Sequence, residues 1–212
     1  MPDRFPGYDV MRKRDTPSFN EATRRALDAR LAIPNQPRHF SPEEFAVVAA
    51  VAARLVPQDG GRPAVPVAAL VDHKLHTGRS DGFRGAGMPR EAEAWRRGLQ
   101  ALDAEARDAH GAGFAALPPD QQDALLRRME SGELTHDAWG GMPCKTFFKQ
   151  RMGHDIVLAY YSHPESWNQI GWGGPASPRG YVRMGYDERD PWEAAEAYPG
   201  EEQRARRENR RV

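Results

Sequence analysis

One helix start constrains this chain more than any other stretch in it. In Phe40-Ser41-Pro42-Glu43-Glu44-Phe45 the serine suits an N-cap, the proline suits the first helical position, Glu44 completes a capping box, and the two phenylalanines can close a hydrophobic staple. Phe45, Val48, Ala49, Ala52, Leu55 and Val56 then recur at helical spacing until Pro57 and Gly60-Gly61 end the run. The pattern repeats downstream. Val67, Leu70, Val71 and Leu75 share one side of a predicted helix, and Trp95, Leu99, Leu102, Ala106 and Ala109 form the stripe of a longer one from about Arg90 to His110. Pro118-Pro119 opens a short helix carrying Leu125, Leu126 and Met129. Phe147, Phe148, Met152, Ile156, Ala159 and Tyr160 mark another, beginning at Cys144. Nowhere do apolar and polar residues alternate over the length of a strand. The chain therefore reads as all-α, a compact bundle of about five helices whose short connections favour antiparallel neighbours, with long loops rich in glycine, proline and aromatics.

Its 212 residues suffice for one domain with a real core, but 18 prolines and a polar composition place part of the length outside that core. Residues 1–39, where prolines and charges surround isolated Phe5, Tyr8 and Phe19 and only Asn20 to Leu31 looks briefly helical, are expected to form an extended N-terminal arm. Residues 40–184 are expected to be the helical domain and 185–212 a polar C-terminal tail. Thirty basic residues balance thirty acidic ones, so no global field draws the protein to nucleic acid or an anionic membrane. The longest weakly polar stretch, Phe45 to Val56, contains Arg54 and falls short of the ~18 apolar residues of a membrane span. The early basic groups Arg12-Lys13-Arg14 and Arg24-Arg25 lead into polar residues, which gives no expectation of an export signal.

Cys144 is the sole cysteine, which rules out an internal disulfide or a cysteine metal cage. Its place at a helix N-terminus beside Lys145 favours a thiolate, and an intermolecular bridge, a reactive thiol and a buried inert one all stay open. His73 and His76 stand three apart without a supporting third ligand and read as surface histidines. The glycine-rich segment Gly78 to Pro89 lacks the Gly-Lys-Ser/Thr ending of a phosphate loop and reads as an exposed loop.

The densest concentration of aromatics and glycines runs from His154 to Met184. Within it, His154, Asp155, His163, Glu165 and Tyr181 are the groups capable of acid–base or metal chemistry. His154 and His163 on one helix would stand more than about a dozen ångströms apart at ~1.5 Å rise per residue, so they share no metal unless the helix breaks. Gly171, Gly173 and Gly174 lack the preceding strand and following helix of a dinucleotide site and read as a turn. No nucleophile with a base and no pair of carboxylates on a defined scaffold is found, so no catalytic, cofactor-binding or metal residue is assigned. Trp167, Ile170, Trp172 and Tyr181, with Arg179 beside them, match the composition of interface anchors. The same rings equally suit a cap over their own helix core.

The run YYSHPESWNQIGWGGPASPRGY, Tyr160 to Tyr181, resembles the C-terminal signature of the gluconate 2-dehydrogenase subunit 3 family, with its His-Pro, Trp, Ile-Gly-Trp, Gly-Pro and Arg-Gly-Tyr elements in order. The FSPEEF helix start extends the likeness upstream, to cover roughly Phe40 to Met184. The resemblance implies a small, mostly helical accessory subunit, without cofactor of its own, in a membrane-associated sugar or alcohol dehydrogenase complex. It implies as partners a large FAD-containing catalytic subunit of the glucose-methanol-choline class and a multihaem cytochrome c carrying haem c. The implied task is to stabilise the large subunit and assist its maturation or export, and the implied location is the periplasmic side of the inner membrane. Family members often begin with a twin-arginine signal that this sequence does not display, so a cytoplasmic location also stays open. On this reading Trp167, Ile170, Trp172, Arg179 and Tyr181 contact the partner and Cys144 is a candidate for an intersubunit disulfide. Two alternatives are an enzyme or metalloprotein built on His154, Asp155 and His163, and a self-associating helical protein.

Overall fold

The computed structural model describes residues 3–58, 61–82, 84–175 and 192–211. Eight helices run through them: α1 Glu21–Leu31, α2 Pro42–Leu55, α3 Val67–His76, α4 Glu91–His110, α5 Pro119–Ser131, α6 over residues 144–161, α7 Pro164–Ile170 and α8 Glu202–Asn209. No strand occurs among the described residues, so the all-α reading holds with eight helices in place of about five. The additional ones are α1, α7 and α8. Pro164 is the first residue of α7, a position where its missing N–H is harmless.

The chain divides into two compact units. One comprises residues 34–58 and 66–160 and contains α2 to α5 and nearly all of α6. Its start is as the sequence dictates: Ser41 Oγ accepts from Glu44 N at 3.1 Å and Glu44 Oε2 from Ser41 N at 3.0 Å. Asp72, buried on α3, fixes the approach to that cap by accepting from the backbone N–H groups of Arg38, His39 and Phe40, each at 2.9 Å. The long α4 is the spine, burying Ala94, Trp95, Leu99, Ala101, Leu102 and Ala106. Trp95 meets Phe40 and Phe147 edge-on with ring centroids 5.8 and 5.7 Å away. Gly98 on α4 makes room for the second ring, since a Cβ there would stand 2.3 Å from Phe147 Cε1 and Cζ.

Within α6 the ordinary turn Cys144–Phe147 gives way to a π-helical turn, Phe148–Met152, before Gly153–Tyr161 completes the helix. A π turn inserts one residue into the helical phase. Buried Phe147 is therefore followed by Met152 and only then by Ile156 and Tyr160 at normal spacing, and Arg151 and Asp155 are turned inward with them.

The other unit gathers residues 3–33, 61–65, 161–175 and 192–211. Phe5, Tyr8, Val10, Phe19, Leu27 and Trp167 form its core, with Met11 and Ala194 packed against them. The described residues of the segments expected as an extended N-terminal arm and a polar C-terminal tail thus carry folded elements. The N-terminal one carries a 3-10 turn, Val10–Lys13, and α1; the C-terminal one carries α8, with Ala205 and Asn209 buried. Their apolar residues are too irregularly spaced to show a period, and they find a core only through residues distant in the chain. No described helix is long and apolar enough to cross a membrane.

Candidate functional site

The aromatic stretch singled out by the sequence is built around α7. His163 caps it, its Nδ1 accepting from Glu165 N at 3.2 Å, while Ser166 Oγ donates to His163 O at 2.7 Å. Burial, followed by the positive charge of Arg30, pushes the His163 imidazole below its ordinary pKa of 6.5. Burial raises Glu165 above its ordinary 4.5. Trp167 Nε1 donates to Tyr161 O at 2.6 Å, and its ring meets that of Trp172 edge-on at 4.7 Å. Gly171 ends the helix in the left-handed region at φ 68°, allowing Trp172 N to donate back to Trp167 O at 2.9 Å.

Each following element grips the N-terminal segment. Asn168 Oδ1 accepts from Val10 N at 2.8 Å, and buried Lys13 donates to Gly173 O at 2.7 Å and to Trp192 O at 3.3 Å. A Cβ on Gly171 would stand 2.5 Å from Phe5 Cε1, and one on Gly174 would stand 3.1 Å from Phe19 Cζ and Val10 Cγ2. The glycines form the expected turn, and the space a dinucleotide would need beside Gly171 and Gly174 is filled by the protein's own side chains. Of the residues predicted for an interface, Trp167 is 3% exposed and belongs to the core, whereas Ile170 and Trp172 are 48% and 36% exposed. Arg179 and Tyr181 lie outside the described residues.

In the helical unit Asp155 is engaged in a way that sequence alone did not reveal. Its Oδ1 accepts from Lys74 Nζ at 2.9 Å and its Oδ2 from the indole N–H of Trp95 at 2.8 Å. Lys74 also lies 2.7 Å from Glu91 Oε1 and 3.0 Å from Asp81 Oδ1, and Arg151 lies 2.8 Å from Asp81 Oδ2. Burial works against the Lys74 ammonium but is outweighed by Glu91, Asp155 and Asp81, so its pKa is raised. Burial likewise opposes the Asp81 carboxylate, and Lys74 and Arg151 outweigh it, so its pKa is lowered. Donor atoms of Asp81, His154 and Asp155 lie within 4.8 Å of one another. Both Asp155 oxygens and Asp81 already serve Lys74, Arg151 or Trp95, so a metal ion there would have to displace the ammonium. The imidazole of His163, third member of the alternative metal set, is committed to capping α7.

Cys144 occupies the first position of α6 as expected, but it is 5% exposed and its Sγ lies 3.8 Å from Met129 O. The preceding loop is fixed by Glu105, whose Oε1 accepts from His136 N at 2.7 Å and Trp139 Nε1 at 3.1 Å. Sequence reasoning missed the Lys74 cluster and Glu105 because charged residues on separate segments carry no spacing signal.

Among known proteins, the family model described as gluconate 2-dehydrogenase subunit 3 matches residues 42–174. No curated protein and no solved structure matches the chain. The match runs from the first helical residue after Ser41 to the glycine that accommodates Phe19, and stops short of the Arg-Gly-Tyr element at 179–181. Since it covers more than half of the sequence, the chain belongs to the gluconate 2-dehydrogenase subunit 3 family.

Proposed function

We propose that the protein is the non-catalytic small subunit of an FAD-dependent sugar or alcohol dehydrogenase complex. Its role is to stabilise the flavin-containing large subunit and to assist its maturation or export to the periplasmic face of the inner membrane. FAD belongs to the large subunit and haem c to a cytochrome that accepts the electrons. The observation that carries this reading is the family match over residues 42–174. It is supported by the commitment of the acid–base candidates to the fold: Asp155 to Lys74 and Trp95, His163 to the cap of α7. Ile170 and Trp172, both well exposed, together with Arg179 and Tyr181, are the residues we assign to the partner contact. Cys144 is a weaker candidate for an intersubunit disulfide because its sulfur is buried between α5 and α6.

The test is affinity capture of the tagged chain from native extract, followed by mass spectrometry and a flavin absorbance spectrum. A stoichiometric flavoprotein is expected, with its yield reduced by Trp172→Ala and Arg179→Ala. Recovery of the chain alone, or only with copies of itself, would overturn the reading.

A further inference from the structure

The corner between α3 and α4 holds an open cavity of about 480 Å3 whose lining includes Arg79, Ser80, Arg84, Arg90, Glu91 and Arg151. Several arginines elsewhere are matched to carboxylates, among them Arg14 to Asp28, Arg54 to Asp123 and Arg107 to Asp103. Arg79, Arg84 and Arg90 are exposed, and their side chains make no ion pair or hydrogen bond among the described residues. The acidic groups of the corner do not neutralise them. Asp81 is held by Lys74 and Arg151, and Glu91 lies 2.7 Å from Lys74 and 3.8 Å from Arg151. Because the whole chain is formally neutral, this concentration of positive charge is local.

Two features add to it. Arg90 is the N-cap residue of α4 and makes no side-chain capping bond, so the first N–H groups and the positive end of a long helix face the same corner. The loop beside it is also anchored. Gly82 N donates to Ser80 Oγ at 3.3 Å and Met88 N to Gly85 O at 3.1 Å, and Gly85 packs so closely on Gln150 and Thr146 of α6 that a Cβ there would stand 2.3 Å from Gln150 Oε1.

We infer that this corner docks an acidic, aspartate- and glutamate-rich segment of the large subunit, an inference that rests on the subunit role proposed above. A lone exposed arginine binds a single anion weakly because water and salt screen it. Three guanidiniums round one open cavity, each able to take a carboxylate in bidentate fashion, are satisfied together by several carboxylates on one chain, whose later contacts are intramolecular. The cavity is also larger than one phosphate group needs.

The test measures association of the purified large subunit with the full chain at about 50 and about 300 mM salt, since exposed charges are screened over this range. The proteins compared are wild type, the triple variant Arg79→Gln/Arg84→Gln/Arg90→Gln, and the triple variant with Glu at the same positions. Circular dichroism and melting confirm that the neutral variant stays folded. Wild-type association is expected to slow with salt, the Gln variant to bind on the order of tenfold more weakly with most of the salt dependence gone, and the Glu variant to bind more weakly still. Unchanged binding by both variants overturns the docking site and leaves the subunit role standing. Failure of the wild-type chain to bind the large subunit overturns the subunit role and the docking site with it. Displacement of the large subunit by low-millimolar inorganic phosphate at matched ionic strength marks a small-oxyanion site and also overturns the inference.

Discussion

Asn209, in the last helix, donates its side-chain amide to the carbonyl of Pro6, 203 residues earlier in the chain, at 3.1 Å. The same amide donates to Ala195 O at 2.9 Å, and Oδ1 accepts from Ala195 N at 2.6 Å, all in a fully buried side chain. One asparagine thus ties the two ends of the chain into one unit. Asn209→Ala strands three buried backbone groups, at about 1–3 kcal/mol for each that water cannot reach. Hydrogen exchange should quicken at Val10 and Ala195, while the amides of α4 keep their protection. Uniform loosening of both units would contradict the assignment.

Gly98→Ala sets two effects against each other. Alanine is the better helix former by ~1 kcal/mol, but its Cβ would stand 2.3 Å from a Phe147 ring that is fully buried and flanked by Trp95 and Trp139. Overpacking of this kind costs about 1–3 kcal/mol, and the rigid ring has no way to yield, so net destabilisation is expected in urea unfolding. Phe147→Leu in the Gly98→Ala background should cost less than Phe147→Leu alone, the mark of two residues sharing one space.

What could be seen in advance follows from where each signal lies. The Ser41–Glu44 capping box and the α4 stripe are local signals: the box, Trp95, Leu99, Leu102 and Ala106 stand as their spacing demands, while Ala109, expected at the end of that stripe, is exposed. The π turn of α6 left a trace in the five-residue step from Phe147 to Met152, legible only once both are known to be buried. The N-terminal segment gave no period because its partners are remote: Val10 is satisfied by Asn168, 158 positions away. The cluster of Lys74, Asp81, Glu91, Arg151 and Asp155 draws on separate segments, and no spacing rule connects them. The HPESWNQIGWGG run was legible as specific, but only the fold separates Trp167, turned inward, from Ile170 and Trp172, left at the surface.

Asp155 should be the most sensitive member of its cluster, because its side chain is fully buried while Lys74 is 22% exposed. Removing one partner of a buried ion pair costs about 3–5 kcal/mol, and Asp155→Ala also orphans the Trp95 N–H. Asp155→Asn keeps an acceptor for the indole and loses only the charge, so it should fall well short of the alanine variant in thermal or urea unfolding. Equal losses would mean that the indole bond is unimportant. Lys74, with its pKa raised, lends stability that is complete below its ordinary 10.5 and lost as pH rises through the higher folded value. Asp155→Asn should therefore narrow the difference in stability between pH 9 and stronger alkali.

A cysteine beneath a helix surface should react slowly. Cys144 is 5% exposed with its sulfur directed at Met129 O, so alkylation by a maleimide in native buffer should lag far behind the rate in denaturant and rise as urea opens the α5–α6 contact. Rapid native labelling would instead reveal an accessible thiol and revive the intersubunit bridge.

His163 gives the unit that contains α1, α7 and α8 a defined response to acid. Its Nδ1 must remain unprotonated to accept from Glu165 N, and burial holds its pKa below 6.5. A group with a depressed folded pKa contributes stability that is complete above the ordinary value and lost as pH falls through the folded one. Glu165 acts in the opposite sense: with its pKa raised above 4.5, its contribution is present below 4.5 and lost as it ionises on the way up. Between pH 6.5 and the folded pKa of His163, protonation of the imidazole should therefore weaken the α7 cap as acid is added. Trp167 fluorescence, reporting on the core beneath α7, should register that loss. His163→Asn, which supplies a non-titrating cap, should flatten the response in this window. His163→Ala should lower stability by about 1 kcal/mol even at pH 8, where only the cap is missing. An imidazole titration by NMR at or above 6.5 would show that burial does not govern this residue.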